Sequence, residues 1–331
     1  MLIAVVAMLF CLACKQPNTE IHVLQGEALG TTYQVKFYGD HFDAGAKFDS
    51  VINAINNTFS TYWPNSKITR INHGDTTVVV DAMFDEVYGL AGAVYASSEG
   101  FYDPTVGTLV NAYGFGPEGQ INKLDDHVID SLMQYVGFDK ISLDDNGYIH
   151  KENPNVYLDF NSIAKGYCID RVGAMLEQNG VENYLIELGG ELLAKGKNLS
   201  KNKSWAVGIE NIEAPVDDRG YTKVVVLKNR GMAGSGNYRK FRVDEATGER
   251  YVHTINPLTG QAHKSDVLSA TVIANTCAEA DAYATTFMAM GLKRSQQLLE
   301  KLDTVDAYLM YNEGSEIKVY MSKGFDKYLR D

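Results

Sequence analysis

The side chains best suited to chemistry stand where a short apolar run, 156–158, meets a predicted helix, 163–176. Asp159 follows the apolar run, and Ser162 and Lys165 come after it at intervals of three. This spacing places them along one side of the first helical turns, where free backbone N–H groups and the helix dipole favour anions such as phosphate. A carboxylate beside an anion site suggests a metal or a ring donor between them. The structural alternative is a helix cap at Asp159 and a solvated Lys165.

A second pair of oxygen-bearing side chains lies on a predicted helix over 278–290. Asp281 and Thr285 are four residues apart, so they lie one turn apart on the same face. A carboxylate and a hydroxyl at this spacing can occupy two positions on a hard cation such as Mg²⁺, which prefers oxygen ligands and retains water. The competing account is close helix packing with a capping aspartate, and the local pattern alone favours that account.

Three further segments have weaker chemical signals. His253 has hydroxyl and amide neighbours, but a lone histidine is more often a structural or surface residue than a base. The segment 231–240 combines small residues with two basic ones, which suggests a phosphate-contacting loop. Tyr62 and Trp63 stand in a Pro/Ser loop, where aromatic rings either stack on a flat ligand or plug the edge of a core.

Glycines flank aromatic residues between 100 and 116, a pattern that brings the backbone close to a flat ligand or to tight packing. A structural turn explains Asp103-Pro104 equally well.

Composition limits the classes of partner. The chain has 331 residues, of which 45% are hydrophobic, so it can bury a substantial core. Its formal net charge is −12 and it has no long basic run, which argues against nucleic acid as a partner. A phosphate-bearing ligand would require a bound cation or a few well-placed basic groups to offset the field of the protein.

The N-terminus predicts export. Residues 1–13 are apolar but too few to span a bilayer comfortably, and they fit the apolar region of a signal peptide. Ala13-Cys14 resembles the cleavage site of bacterial lipoproteins, so we expect Cys14 to be lipidated, residues 14–28 to form a tether that leads into a first strand, and a single domain to occupy 29–331.

Two cysteines remain in the predicted mature domain, Cys168 and Cys277. An exported protein could join them in a disulfide. Both stand among small or apolar residues of predicted helices, which favours two buried free thiols.

Periodicity predicts the elements that hold these residues. Alternation over 33–37 indicates a half-buried strand, and helical spacing begins directly after it. The predicted helices cover 42–58, 83–98, 128–137, 163–176 and 278–290, a hairpin turns through 144–147, and the later strands cover 183–191, 205–210, 223–227 and 268–274.

Taken together, these segments resemble the ApbE family, the FAD:protein FMN transferases, from Gly30 to the C-terminal region. The resemblance rests on seven motifs in the family's order: FSTYWPNSKITRIN, GFYDPTVGTLVNAYGFG, YLDFNSIAKGYCID, YLIELGGELLAKGKN, SGNYRKF, HTINPLTG and AEADAYATT. It implies a mixed α/β (α+β) fold, a single domain of two topologically related halves with the flavin site between them.

The resemblance also implies an activity. Members of the family are Mg²⁺-dependent enzymes that split FAD, join FMN through its phosphate to a Ser or Thr hydroxyl of an exported flavoprotein, and release AMP. The implied partners are FAD, an acceptor such as a redox-pump subunit, and a bacterial membrane on its periplasmic side, reached through the lipid anchor.

Site residues are carried over from the family motif by motif. Metal ligands map onto Ser162, Asp281 and Thr285, and the base that activates the acceptor hydroxyl maps onto His253. The implied contacts to FAD are Tyr62, Asp103, Thr105, Val106, Gly107, Tyr113, Gly114, Phe115, Asp159, Lys165, Ser235, Gly236 and His253. Asn256 and Leu258 depart from the Asp and Arg common after that histidine, which bears on adenine or phosphate recognition rather than on the reaction type.

Two other functions remain open at the level of sequence. A periplasmic FAD pyrophosphatase would need the same metal site and would differ only in using water as the nucleophile. A flavin-binding lipoprotein without catalysis would tolerate loss of Asp281, Thr285 and His253, so the joint presence of these three argues against it.

Overall fold

A computed structural model describes residues 20–121, 124–212, 220–237, 241–243, 250–252, 254–262 and 265–330. In this part of the chain an eight-stranded antiparallel sheet has the order β1-β2-β5-β6-β9-β12-β13-β14. Its strands are β1 (His22–Ala28), β2 (Thr31–Tyr38), β5 (Asn183–Leu188), β6 (Glu191–Lys195), β9 (Arg230–Gly236), β12 (Val267–Ala274), β13 (Asp306–Glu313) and β14 (Glu316–Met321).

Helices and small hairpins surround this sheet. The helices are α1 (Ala44–Phe59), α2 (Lys67–Asn72), α3 (Ala82–Ser97), α4 (Gly107–Ala112), α5 (Asp126–Met133), α6 (Ala164–Gln178) and α7 (Cys277–Leu299). The remaining strands form three hairpins: β3 (Ile141–Leu143) with β4 (Ile149–Lys151), β7 (Trp205–Glu210) with β8 (Tyr221–Leu227), and β10 (Phe241–Val243) with β11 (Arg250–Val252). Short 3₁₀ helices span Phe138–Lys140 and Phe325–Tyr328.

The sheet divides into two halves of the same plan. In the first half, β1 and β2 are followed, after an insertion, by α6 and then by β5 and β6. In the second half, β9 and β12 are followed by α7 and then by β13 and β14. Each half therefore contributes four adjacent strands and one long helix, and the halves meet where β6 pairs with β9. The predicted mixed α/β fold of two related halves is confirmed.

One face of the sheet carries the main core, in which α1, α3, α6 and α7 pack against the strands. The opposite face is covered by the β7–β8 hairpin and by the 3₁₀ helix Phe325–Tyr328, with Trp205 and Phe325 buried between the layers. A third cluster joins α4 and α5 to the segment 254–262. Of the predicted site residues, Lys165 belongs to the first turn of α6 and Asp281 and Thr285 belong to α7, and these two helices meet on the helical side of the sheet.

Two turns differ from expectation. The predicted strand 183–191 is a hairpin, because Gly189 and Gly190 have φ of 62° and 100° and form a two-residue turn between β5 and β6. Gly231–Gly236 belongs to β9 in the middle of the sheet, so the prediction of a loop over the whole of 231–240 is wrong. Small residues favour a loop, but they are also needed in a central strand that lies against a helix, as at Gly231, where a Cβ would meet the backbone of Cys277.

The predicted helix 278–290 ends too early, because α7 continues to Leu299 across a kink at Gly291, where φ is 75°. The other predicted helices and strands are present within a few residues of their expected ends. The first strand, expected at the end of the tether, spans His22–Ala28, so the sheet begins before residue 29. The signal segment and Cys14 lie outside the described residues. Among the described helices, none combines the length and the apolar character that crossing a bilayer requires.

Candidate active site

The segment from Asp159 to Lys165 leads into α6, as the sequence predicted. Asp159 is buried, and its Oδ1 accepts a hydrogen bond from the backbone N–H of Asn161 at 2.7 Å. Burial raises the pKa of Asp159, and this hydrogen bond acts against that shift. Asn72 fixes the preceding residue, because its side-chain amide both donates to and accepts from the backbone of Leu158 at 2.8 Å. Asp159 is therefore held rigidly at the end of an extended segment.

The first turn of α6 receives a carboxylate from α7. The backbone N–H of Gly166 donates to Oδ2 of Asp281 at 3.0 Å. A protein carboxylate therefore lies at the N-terminus of α6, where the sequence predicted a site for anions. Because Asp281 is buried at this contact, its pKa is raised to about 6, although Lys165 and the Gly166 hydrogen bond act in the opposite direction.

A second carboxylate makes the reciprocal contact, from α6 to the N-terminus of α7. Asp170 of α6 accepts hydrogen bonds from the backbone N–H groups of Cys277 and Ala278, both at 2.8 Å, at the first turn of α7. The two helices therefore cap each other's N-termini. A Cβ on Gly166 would meet the carbonyl of Cys277, so this glycine permits the close crossing.

The hydroxyl groups of the predicted metal ligands make fewer or longer hydrogen bonds within the described part of the protein than the hydroxyl of the neighbouring Thr286. Thr286 donates to the carbonyl of Ala282 at 2.8 Å, whereas Thr285, half-buried, has no hydrogen bond within the described residues. Ser162 donates to the hydroxyl of Tyr102 at 3.3 Å. Asp281 has one hydrogen bond in the described structure, on Oδ2. Two hydroxyls and a carboxylate with an uncommitted oxygen form the hard donor set that suits Mg²⁺.

Within the described ranges, no three His, Cys, Asp or Glu side chains lie close enough together to hold a metal ion. The donor set above differs from such a cluster, because two of its three members are hydroxyl residues.

Glu191 was not among the predicted site residues, although it lies in the motif YLIELGGELLAKGKN. The Lys165 ammonium lies 2.6 Å from Oε1 of Glu191, which is only 3% exposed at the start of β6. Burial, and then the negative charge of Asp281, raise the pKa of Glu191 to about 8. Burial disfavours the charged form of Lys165, but Glu191 and Asp281 outweigh it and raise the pKa of Lys165. A buried acid after a two-glycine turn was the available sequence signal.

The segment 103–107 has a structural role in addition to the predicted contact with FAD. Oδ1 of Asp103 accepts hydrogen bonds from the backbone and hydroxyl of Thr105, and Oδ2 accepts one from the backbone of Phe138. Burial raises the pKa of Asp103 to about 6. The contacts with Thr105 match the structural turn considered above, and the contact with Phe138 ties that turn to the 3₁₀ helix Phe138–Lys140.

The backbone of the same segment adjoins Asp159. The N–H of Asp159 donates to the carbonyl of Pro104 at 2.7 Å, and Val106 pairs with Tyr157 in a parallel bridge. Gly107 is closely approached by Tyr157, with 2.8 Å between the Tyr157 carbonyl and a Cβ placed on the glycine. The structure therefore joins the second and third motifs at the residue that the family resemblance assigns to the flavin.

The segment 113–115 contacts the region that follows His253. Tyr113 is buried, and its hydroxyl donates to the carbonyl of Gly260 at 3.1 Å. Phe115 packs against the same cluster, and Gly114 has φ of 73°, which favours glycine. His253 itself lies outside the described residues, while Thr254 donates to the side chain of Asn237 at 3.1 Å.

Tyr62 is 61% exposed and close enough to Asp159 for that charge, after burial, to raise the Tyr62 pKa. Such a ring is available to a flat ligand. Ser235 and Gly236 form the end of β9 and pair with Ala270 and Ser269 of β12. No contact between that strand end and Asp159 is seen in the described residues.

A cavity of about 360 Å³ lies beyond the metal-ligand pair along α7. Met288 and Ala289, one turn after Thr285, form part of its wall. The other wall comes from the segment after His253, including Thr254 and Asn256. This cavity therefore lies between the later part of the predicted helix 278–290 and the segment 254–261, and Asp281 and Thr285 are not among the residues that line it.

The chain belongs to the ApbE family, whose model matches residues 29–309. It is 34% identical to the FAD:protein FMN transferase of Haemophilus influenzae, over 98% of this chain and 96% of that protein.

Solved structures agree. The flavin transferase ApbE from Vibrio cholerae superposes with a TM-score of 0.84 at 29% identity, over 94% of this chain and 99% of that one. The flavinyl transferase ApbE of Pseudomonas stutzeri, in its apo form, gives a TM-score of 0.81 at 29% identity, over 93% and 96%.

Proposed function

We propose that this chain is an FAD:protein FMN transferase that acts on a Ser or Thr hydroxyl of an exported flavoprotein. The observation that carries the proposal is the crossing of α6 and α7 in a chain of the ApbE family, where Asp281 of α7 binds the first turn of α6 beside Lys165 and the segment from Asp159 leads into that turn. The relatives described above carry this activity in their names.

The reaction exchanges one phosphorus–oxygen bond for another. The acceptor oxygen attacks the phosphorus of the FMN half of FAD, the pyrophosphate bond to the AMP half breaks, and AMP leaves. His253 takes the proton of the acceptor hydroxyl, because an unassisted hydroxyl is too weakly acidic at neutral pH to attack well. A serine or threonine phosphoester of FMN is the product.

The described residues bind and orient the substrate. Lys165 supplies positive charge beside the pyrophosphate, and its 30% exposed side chain is held by Glu191. Asp159 and the ring of Tyr62 stand at the position proposed for the flavin. Asp281, Thr285 and Ser162 would hold Mg²⁺, which when bound neutralises charge on the pyrophosphate and polarises its phosphorus.

The test is a transfer assay with an acceptor. The purified chain, FAD, Mg²⁺ and a candidate exported flavoprotein should give a fluorescent protein band and one AMP for each flavin fixed. His253→Ala should lower transfer by about 10²- to 10⁴-fold, the usual contribution of a general base, while FAD still binds. Free FMN and AMP formed at one rate with or without acceptor would instead establish a pyrophosphatase and remove His253 from this role.

We further propose that the mature chain is a lipoprotein anchored through Cys14 on the periplasmic side of a bacterial membrane. The support is the apolar segment 1–13 followed by Ala13-Cys14. Cys14→Ser should leave an unprocessed precursor without lipid label. Normal labelling and fractionation of that variant would overturn the anchor.

A further inference from the structure

Glu191 occupies a place that a structural carboxylate rarely has. It is the first residue of β6, directly after the Gly189-Gly190 turn, and it is 3% exposed. Its Oε1 contacts the Lys165 ammonium at 2.6 Å. Its Oε2 is buried and has no hydrogen-bond partner in the part of the chain that the structure describes. Buried carboxylate oxygens are normally bonded, so this atom lacks a partner that a ligand could supply.

The ionisable groups around Glu191 include more carboxylates than cations. Two buried carboxylates, Glu191 and Asp281, share one ammonium, that of Lys165. With both acids ionised, the group carries one net negative charge, and the pKa of Glu191 is raised to about 8 when Lys165 is its cationic partner. A buried ion pair is weak evidence for stability, because apolar residues in its place are often neutral or stabilising. A bound cation would favour the ionised form of Glu191 and offset this charge.

Asp281 links this group to the candidate cation site. Its Oδ2 accepts a hydrogen bond from Gly166, the residue after Lys165, and Thr285 follows Asp281 by one turn on the same face of α7. A divalent cation held there would lie within the field of Glu191. Mg²⁺ keeps several of its waters when proteins bind it, so it brings hydrogen-bond donors into the site.

We propose that Glu191 is an additional, indirect member of this cation site: Oε1 holds Lys165, and Oε2 accepts a hydrogen bond from the hydrated divalent cation. The inference rests on the proposed function, since it concerns the same site. It makes Glu191 a positioning residue whose charge favours the cation, whereas the charge of Lys165 opposes the cation and favours the pyrophosphate.

Because Glu191 and Lys165 carry opposite charges, replacing them should change the affinity for a divalent cation in opposite directions. Mn²⁺ binding to the full chain, saturated with FAD, is measured from the electron paramagnetic resonance signal of free Mn²⁺, with FAD alone as the blank. Glu191→Gln keeps an acceptor for Lys165 but places an amide where Oε2 stood, and it should weaken Mn²⁺ binding about 10- to 100-fold. Lys165→Met should strengthen it. Glu187→Gln, which removes the same charge from the neighbouring strand, should leave it within about twofold.

The outcomes separate this inference from the proposed function. If Asp281→Ala binds Mn²⁺ as the parent does, the cation site of the proposed function fails. If Asp281→Ala loses binding while Glu191→Gln keeps it, the inference about Glu191 alone fails. It also fails if Lys165→Met weakens Mn²⁺ binding as Glu191→Gln does, because Glu191 would then act only as the structural partner of Lys165. Should Glu191→Gln not fold, Glu191→Asp, which keeps the charge, should lose less than tenfold, and complete loss would reject the proposal.

Discussion

Each half of the molecule contributes one aspartate whose carboxylate accepts hydrogen bonds from the N-terminus of the other half's long helix. The two aspartates differ in how many carboxylate oxygens these hydrogen bonds occupy. Asp170 of α6 uses both oxygens on the backbone N–H groups of Cys277 and Ala278. Asp281 of α7 has only its Oδ2 engaged in the described structure, on Gly166. Burial raises the pKa of each to about 6. In similar environments, therefore, both oxygens of Asp170 accept hydrogen bonds, whereas one oxygen of Asp281 accepts none in the described structure.

This difference distinguishes a carboxylate with a purely structural role from one that can also bind a ligand. A carboxylate saturated by a helix N-terminus is a cap, and it fixes where α7 begins. A carboxylate that is only half used is positioned by one bond and can bind a ligand with the other oxygen. Each half needs the other, because the cap on α7 determines where Asp281 lies.

The largest expected effect comes from removing the free oxygen. Asp281→Asn keeps an acceptor for Gly166 but lowers the charge, and transfer should fall about 10²- to 10³-fold, since a metal ion supplies several kcal/mol and about 1.4 kcal/mol is tenfold. EDTA should abolish transfer by the parent, and Mg²⁺ should restore it. Asp170→Asn is the matched control, and an equal loss of transfer in both variants would contradict the distinction between them.

Next in size is a change at the helix crossing itself. Gly166→Ala puts a methyl group against the backbone of Cys277, so we expect a loss of about 1–3 kcal/mol in the free energy of unfolding, measured with urea. Gly89→Ala in α3 is the control, because nothing lies within 4 Å of its added Cβ. That variant should gain about 0.5–1 kcal/mol. Equal changes would mean that the crossing is looser than described.

A smaller effect concerns the pH dependence contributed by Asp170. Its pKa is raised from 3.8 to about 6 on folding, first by burial, so between these values the folded state binds more protons than the unfolded state. Stability from this group is therefore full below about pH 4 and declines as pH rises to about 6, by at most about 3 kcal/mol. The difference in unfolding free energy between parent and Asp170→Asn should vary over this window, and parallel curves would reject the shift.

The smallest expected effect is on cysteine accessibility. Cys168 and Cys277 are buried free thiols, as predicted, and burial raises the pKa of both, that of Cys168 to about 12. A thiol-specific reagent should therefore label native protein slowly. Asp170→Ala should accelerate labelling of Cys277 more than that of Cys168, because only Cys277 begins the helix that Asp170 caps. Rapid labelling of the parent would disagree with the burial of both residues.

Much of this could be predicted from the sequence because the signals are local. Helical spacing located α6 and α7, and the interval from Asp281 to Thr285 placed both on one face. The failures came from residues whose meaning depends on the neighbouring strand. Gly231–Gly236 is a central strand rather than a loop, since small residues serve either purpose and only the pairing with β6 and β12 decides.

The site divides in the same way. By itself the sequence determined the family, because seven motifs in order identify the ApbE family. Which side chains of those motifs carry the chemistry stays a prediction. Only the tertiary structure decided how they are used: that Asp281 binds the first turn of α6, that Asp103 accepts hydrogen bonds from Thr105, and that Glu191 pairs with Lys165. The contacts of Asp281 and Glu191 join residues 115 and 26 positions apart, and that of Asp103 with Thr105 is local but buried. Neither long-range proximity nor burial is encoded in local spacing.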